Sequence, residues 1–199
     1  MGRARPLRVG IFVFDDAEEL DVVGPYEVLA AWAAHSALRP EVVTFSADGL
    51  GVRCAKGLKL VPDTSAEEVG PLHVLVHPGG RGTRRLLADP EHLAWLREVR
   101  ATTPLVASVC TGALVLAAAG LLAGRPATTH HAAFDELAQI DPSVLPDTEA
   151  RFVDDGDVVT SAGVSAGIDM ALHLVARLES PEMARGVRHG IQYDPEPPV

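Results

Sequence analysis

The chain has 199 residues, 47 % of them hydrophobic, and a net charge of −10 from 17 basic and 27 acidic side chains. One domain, residues 1–199, accounts for that length; no basic stripe points to nucleic acid, and no apolar run reaches the roughly 18 residues of a membrane span. The opening "MGRARPLRVGIFVF" lacks a signal-peptide core and a myristoylation pattern, and two cysteines, Cys54 and Cys110, suggest no disulfide framework, so a cytoplasmic domain is expected.

In chain order, "LRVGIFVF" (Leu7 to Phe14) is a β-branched run that predicts a strand. "GPYEVLAAWAAH" (Gly24 to His35) has helical spacing, with Pro25 suited to a first turn. "PEVVTFSAD" predicts a second strand and "GLKLVPD" a short edge strand. "LHVLVHPGG" (Leu72 to Gly80) is an apolar run closed by a turn. "DPEHLAWLREVRAT" predicts a helix capped by Asp89 with Pro90 at its first position. Leu105 to Val109 predicts a buried strand and Ala113 to Ala119 a helix, with Cys110 on the corner between them. "AQIDPSVLPDTEA" predicts a loop. "RFVDDGDVVTSAG" predicts a hairpin, "SAGIDMALHLVARL" a buried helix capped by Ser165, "PEMARGVRHGIQY" a last helix, and "DPEPPV" a frayed tail.

Strands alternating with helices predict an α/β domain with a mostly parallel sheet flanked by helices on both faces. Continuous apolar strands agree with burial on both sides. Ligand sites in such sheets lie beyond the carboxyl ends of the strands. Three turns would share that edge: "FDDAEELD", "HPGGRG" and "CTG".

Each turn has a plain structural reading beside a chemical one. Cys110 is either a small buried hydrophobe or a nucleophile whose thiolate is favoured by the N–H groups of the following helix. Gly79 and Gly80 make a tight turn, or let backbone N–H groups approach a developing negative charge. The "EELD" run caps a helix, or holds Asp21 inward. Burial and a neighbouring thiolate would then raise the carboxyl's pKa and make it a general acid. His130 in "TTHH" belongs to a structural pair or takes part in proton transfer. The eight histidines have no metal-ligand spacing. Cys54 reads as a bystander on an edge hairpin. Trp32 and Phe134 are apolar pocket-wall candidates or core.

Taken together, "ELDVVGPYEVL", "PGGRGT", "SVCTGALVLAAAGLLAGRPATTH", "TSAGVSAGIDMALHL" and "QYDPEPP" resemble the ThiJ/PfpI superfamily over nearly the whole chain. That superfamily shares its fold with class I glutamine amidotransferase domains, and the closest resemblance is to its isocyanide hydratase branch. The resemblance implies a flavodoxin-like sandwich with a nucleophile elbow. It places the nucleophile on Cys110, the acidic partner on Asp21 and the following hydratase residue on Thr111. It places the anion-binding turn on Gly79, Gly80 and the Thr111 backbone. It implies a homodimer, a small electrophilic substrate, and neither metal nor organic cofactor.

The implied reaction is hydration of an organic isocyanide to an N-formamide through a covalent thioimidate. An oxidation sensor at Cys110, a glyoxalase or deglycase using His130, and a binding module without catalysis are the other readings. Thr111 stands where protease-like members carry His, which argues against peptidase activity. The sequence ends with "DPEPPV", where hydratase relatives continue, so a C-terminal helix is expected to be missing. AraC-type relatives continue into a helix-turn-helix region; none is expected here, which takes the DNA-binding half from a regulator reading.

Overall fold

The computed structural model describes residues 6–196. The first five residues, on which the leader reading falls, and the last three of the closing tail lie outside the described residues. The first half of the chain runs β1 (Arg8–Phe12), α1 (Glu19–His35), β2 (Glu41–Ser46), β3 (Val52–Arg53), β4 (Lys59–Leu60), β5 (Thr64–Ser65), β6 (Val74–His77), α2 (Thr83–Leu87) and α3 (Pro90–Thr102). The second half runs β7 (Leu105–Val109), α4 (Gly112–Ala118), β8 (Pro126–Ala127), α5 (Phe134–Ile140), β9 (Leu145–Pro146), β10 (Phe152–Asp154), β11 (Val158–Ser161), α6 (Ala166–Leu178) and α7 (Pro181–Gly190).

Seven strands form one sheet in the order β10-β11-β7-β6-β1-β2-β5. Every pairing in it is parallel except β10 with β11. The central strands β6, β7 and β11 are buried at every residue, as a sheet covered on both faces requires. Helices α1, α6 and α7 pack on one another, and α2, α3, α4 and α5 form the other group. The fold is the expected mostly parallel α/β sandwich.

The first helix begins earlier than its apolar spacing predicts. It starts at Glu19, so Asp21 lies in its first turn and Pro25 lies inside it rather than in the opening turn. An interior proline removes the N–H that would reach the Asp21 carbonyl. Close packing holds the helix there all the same. A Cβ on Gly24 would lie 3.0 Å from Ile168 Cγ1, and one on Gly167 would lie 3.3 Å from Pro25 Cγ and 3.0 Å from Val109 Cγ1. Two glycines therefore let side chains of α1, α6 and the end of β7 pack closely.

Other expectations differ in detail. Asp89 caps α3 by accepting from the N–H groups of Glu91 and His92. Ser165 makes no side-chain cap, because its backbone is already helical; the serine that caps is Ser180, which accepts from Met183 N–H and starts α7. That last helix stops at Gly190. The "GLKLVPD" strand pairs only with β3, away from the main sheet. The loop expected from Ala138 is shortened by α5, whose Leu137 is buried, and by the small β8–β9 pair. The Asp155–Gly156 turn of the β10–β11 hairpin is present, with Gly156 at φ 84°.

Candidate active site

The three expected turns meet at the carboxyl ends of β1, β6 and β7. Gly79 O accepts from Glu18 N–H at 2.9 Å, which ties the glycine turn to the start of α1. Gly80 N–H donates to Thr111 Oγ1 at 2.9 Å, which ties it to the turn after β7. The Thr111 hydroxyl in turn donates to Gly80 O at 3.2 Å, and Thr83 Oγ1 donates to the same carbonyl at 2.7 Å.

Cys110 forms the corner between β7 and α4 with φ at 56°. The left-handed region costs a residue with a Cβ roughly 1–2 kcal/mol. The corner is pinned on two sides: Cys110 N–H lies 3.1 Å from Ser161 O and 3.2 Å from Ala162 O, and Thr129 Oγ1 donates to Cys110 O at 2.9 Å. Strain held by such contacts is typical of a nucleophile elbow. Next to it a Cβ on Gly112 would lie 2.4 Å from His77 O, so the turn fits only with glycine there.

Asp21 is fully buried. Its Oδ2 accepts from Gly79 N–H at 3.0 Å, its Oδ1 has no conventional partner among the described residues, and the Cys110 thiol faces the carboxyl. Burial pushes the Asp21 pKa up to about 7, with Gly79 N–H opposing and the Glu18 carboxylate adding to the rise. The direction matches expectation, but the like charge is Glu18; the thiol stabilises the carboxylate by hydrogen bonding.

The expected easy ionisation of Cys110 is overturned. Burial, and then the Asp21 charge, push the thiol up to about 12. The N–H groups of Thr111 and Val164 and the Thr111 hydroxyl favour the anion, but more weakly. Cys110 and Asp21 thus form a pair that holds at least one proton across neutral pH. The Gly79 and Gly80 N–H groups are already engaged by Asp21 and Thr111, which leaves the amides of Thr111 and Val164 as the donors beside the sulfur.

His130 sits on the other side of the Ala162–Val164 turn. A Cβ on Gly163 would lie 2.4 Å from its Cδ2. Burial and the neighbouring His131 lower the His130 pKa, and its Nδ1 accepts from Ala132 N–H at 3.2 Å. The imidazole makes no hydrogen bond to Cys110 or Asp21 among the described residues. It lines a cleft of about 310 Å³ with Thr129, Phe134, Arg151 and Val164. Phe134 is thus a wall residue, whereas Trp32 is core: it is fully buried and donates to Glu179 Oε2 at 2.6 Å. Cys54 is a free, buried thiol on the β3–β4 turn, pushed up to about 11 chiefly by burial.

Val164, Thr129 and Thr83 escaped the reading of the sequence. Val164 has φ at 46°, a conformation foreign to a β-branched residue; its neighbour in "AGVSAG" is the only local sign. Among the described residues no group of His, Cys, Asp or Glu is placed to hold a metal ion, and no helix is long and apolar enough to cross a membrane.

Comparison with known proteins gives the family. The model of the DJ-1/PfpI family matches residues 7–177. The chain is 39 % identical to an isonitrile hydratase of Pseudomonas putida over 194 residues, 96 % of this chain and 81 % of that protein. It is 30 % identical to the Parkinson disease protein 7 homolog of Danio rerio, over 91 % of this chain and 94 % of that one. The crystal structure of a THiJ/PfpI family protein from Pseudomonas syringae superposes with a TM-score of 0.88 at 32 % identity, covering 98 % of this chain and 78 % of that one. A family model matched over most of the chain and relatives at 30 % identity or more show that the chain belongs to the DJ-1/PfpI family.

Proposed function

We propose that the protein is a cysteine-dependent hydratase that converts an organic isocyanide to an N-formamide. The observation that carries this reading is the strained Cys110 whose thiol faces the buried Asp21 carboxyl, in a chain 39 % identical to an isonitrile hydratase. The isocyanide carbon is a soft electrophile with a lone pair, so it needs a nucleophile and a proton at one atom. Asp21, with its pKa near 7, accepts the thiol proton as sulfur attacks and delivers it to that carbon. The product is a thioimidate, in which sulfur and hydrogen have both added to the carbon and nothing has left.

Water then adds to the thioimidate carbon, with one of its protons passing to nitrogen. The tetrahedral adduct expels the Cys110 sulfur, which recovers a proton from the hydroxyl, and the N-formamide departs. The amides of Thr111 and Val164 stabilise the sulfur anion at attack and departure. Gly79 holds Asp21 in place and Thr111 holds the glycine turn. His130 and Phe134 line the neighbouring cleft that receives the organic group. From the exposed apolar Val23, Tyr26 and Val61 we infer that a second copy of the chain packs on this face.

Oxidation sensing would use the same Cys110–Asp21 pair; the 39 % identity to an isonitrile hydratase favours hydration. Glyoxalase chemistry through His130 lacks a hydrogen bond from that ring to the Cys110–Asp21 pair. The test is spectrophotometric turnover of p-nitrophenyl isocyanide. Turnover by the parent and none by Cys110→Ala is expected; turnover unchanged in Cys110→Ala overturns the proposal.

A further inference from the structure

A short hairpin outside the main sheet lies against the start of α1. Its strands, β3 and β4, are joined by a tight turn in which Cys54 N–H donates to Leu58 O at 2.8 Å and Gly57 takes φ 105°. Cys54 is buried under the turn, and Lys56 stands exposed at its tip.

The hairpin is laced to the segment that opens α1. Arg53 N–H donates to Asp15 Oδ1 at 2.8 Å, and Asp16 N–H donates to Arg53 O at 2.8 Å. Ala55 N–H donates to Ala17 O at 2.8 Å, and Lys56 N–H donates to Glu19 Oε1 at 2.6 Å. The Lys56 ammonium closes the row: it pairs with the Glu18 carboxylate and lies 3.8 Å from Glu19 Oε2. The backbone of Glu18 holds the glycine turn on its other side, through Gly79 O.

Glu18 is the N-cap residue of α1, yet its side chain caps nothing. Ser, Thr, Asp and Asn are the usual choices for that position. Asp21 is the third helical residue, and side chains at these two positions lie close enough to meet in a capping box. Here both are acids, so they repel. The Glu18 side chain is only 18 % exposed and turns to Lys56 instead. Asp21 is faced by Glu18 from the start of its own helix, by Cys110 from the elbow, by Lys56 from the hairpin and by the Gly79 amide from the glycine turn. Burial is the main reason its carboxyl keeps a proton; Gly79 N–H opposes this, Glu18 adds to it and Lys56 opposes it.

We propose that Glu18 and Lys56 are positioning residues for the Cys110–Asp21 pair: a lysine on a separate hairpin balances the acid placed beside the carboxyl that handles the proton. The inference rests on the proton-transfer role given to Asp21 above, and its test needs no turnover. An ion pair this open to water adds little to stability, so a purely structural role would leave Asp21 unmoved.

Carbon NMR titration of isotopically labelled aspartate side chains reads the balance, with the Asp21 signal identified by its loss in Asp21→Asn. A neighbouring unit charge near the surface moves a carboxyl by about half a pH unit. Lys56→Met is expected to move the Asp21 midpoint up by about that much, and Glu18→Gln to move it down by a similar amount. The double variant should return close to the parent, and Lys56→Arg should keep the parent midpoint. Lys59→Met removes an exposed charge from the same hairpin and should leave the midpoint in place. A midpoint unmoved in both Lys56→Met and Glu18→Gln overturns the proposal. So do shifts of the same sign in the two variants, or an equal shift in Lys59→Met. Opposite shifts in a protein that does not hydrate isocyanides would support the ion pair and count against the hydratase reading alone.

Discussion

Gly79 and Asp21 are bound across 58 residues of sequence by one hydrogen bond, Gly79 N–H to Asp21 Oδ2 at 3.0 Å. The glycine has no room for more. A Cβ there would lie 2.5 Å from Thr111 N, 2.8 Å from Asp21 Oδ2 and 2.8 Å from Thr111 Oγ1. The absence of a side chain at this position lets the carboxyl, the glycine turn and the corner after Cys110 occupy adjacent space.

Gly79→Ala is therefore expected to cost about 2–3 kcal/mol, because two of its three neighbours are backbone or a buried carboxyl that cannot swing away. Gly186, exposed within α7, has nothing within 4 Å of its Cβ direction. Gly186→Ala is expected to add about 0.5–1 kcal/mol. Thermal melting of the two variants checks both signs.

Asp21 makes stability depend on pH. Its carboxyl rises from 3.8 to about 7 on folding, so in that window the folded chain binds more protons than the unfolded one. Stability from this group is fully present below the unfolded value and declines as pH rises through the folded value, by a few kcal/mol in all, on the order of magnitude that such a shift carries. Asp21→Asn keeps an oxygen for Gly79 N–H and carries no charge. Denaturant titrations should show the variant more stable than the parent above pH 7, with a flatter profile between about 4 and 7.

The same carboxylate holds the Cys110 thiol up, second only to burial. In a Cys54→Ser background, ultraviolet titration of the remaining thiol should show a lower pKa in Asp21→Asn than in the parent. An unchanged thiol pKa would mean that the two groups do not interact.

Strain at the elbow is also measurable. Cys110 has φ at 56°, a conformation that glycine adopts without a Cβ penalty. Cys110→Gly should be more stable than Cys110→Ala by about 1 kcal/mol in equilibrium unfolding, although neither turns over isocyanide.

Much of the molecule is legible in its sequence, for identifiable reasons. The strands around Val76 and Val109 are continuous apolar runs because both faces are covered, and the Asp89–Pro90 pair marks a helix start through capping chemistry. The meeting of Asp21, Gly79, Gly80, Cys110 and Thr111 follows from three turns sharing one sheet edge. What was hidden is tertiary. The start of α1 at Glu19, with Pro25 inside the helix, goes with close packing at Gly24 and Gly167 that one sequence does not display. The left-handed backbone of Val164, which aims its amide at the sulfur, contradicts its own residue type. The raised thiol pKa could not be read either, because the benefit of nearby N–H groups is visible in a corner motif while the cost of burial is not.

The most direct measurement is intact-protein and peptide mass spectrometry of the enzyme acid-quenched during turnover of p-nitrophenyl isocyanide. The account predicts an adduct on Cys110, and not on Cys54, with the mass of the whole isocyanide, because sulfur and hydrogen add to its carbon and no group leaves. Formamide formation with no mass on Cys110, or at the parent rate in Cys110→Ala, would contradict it.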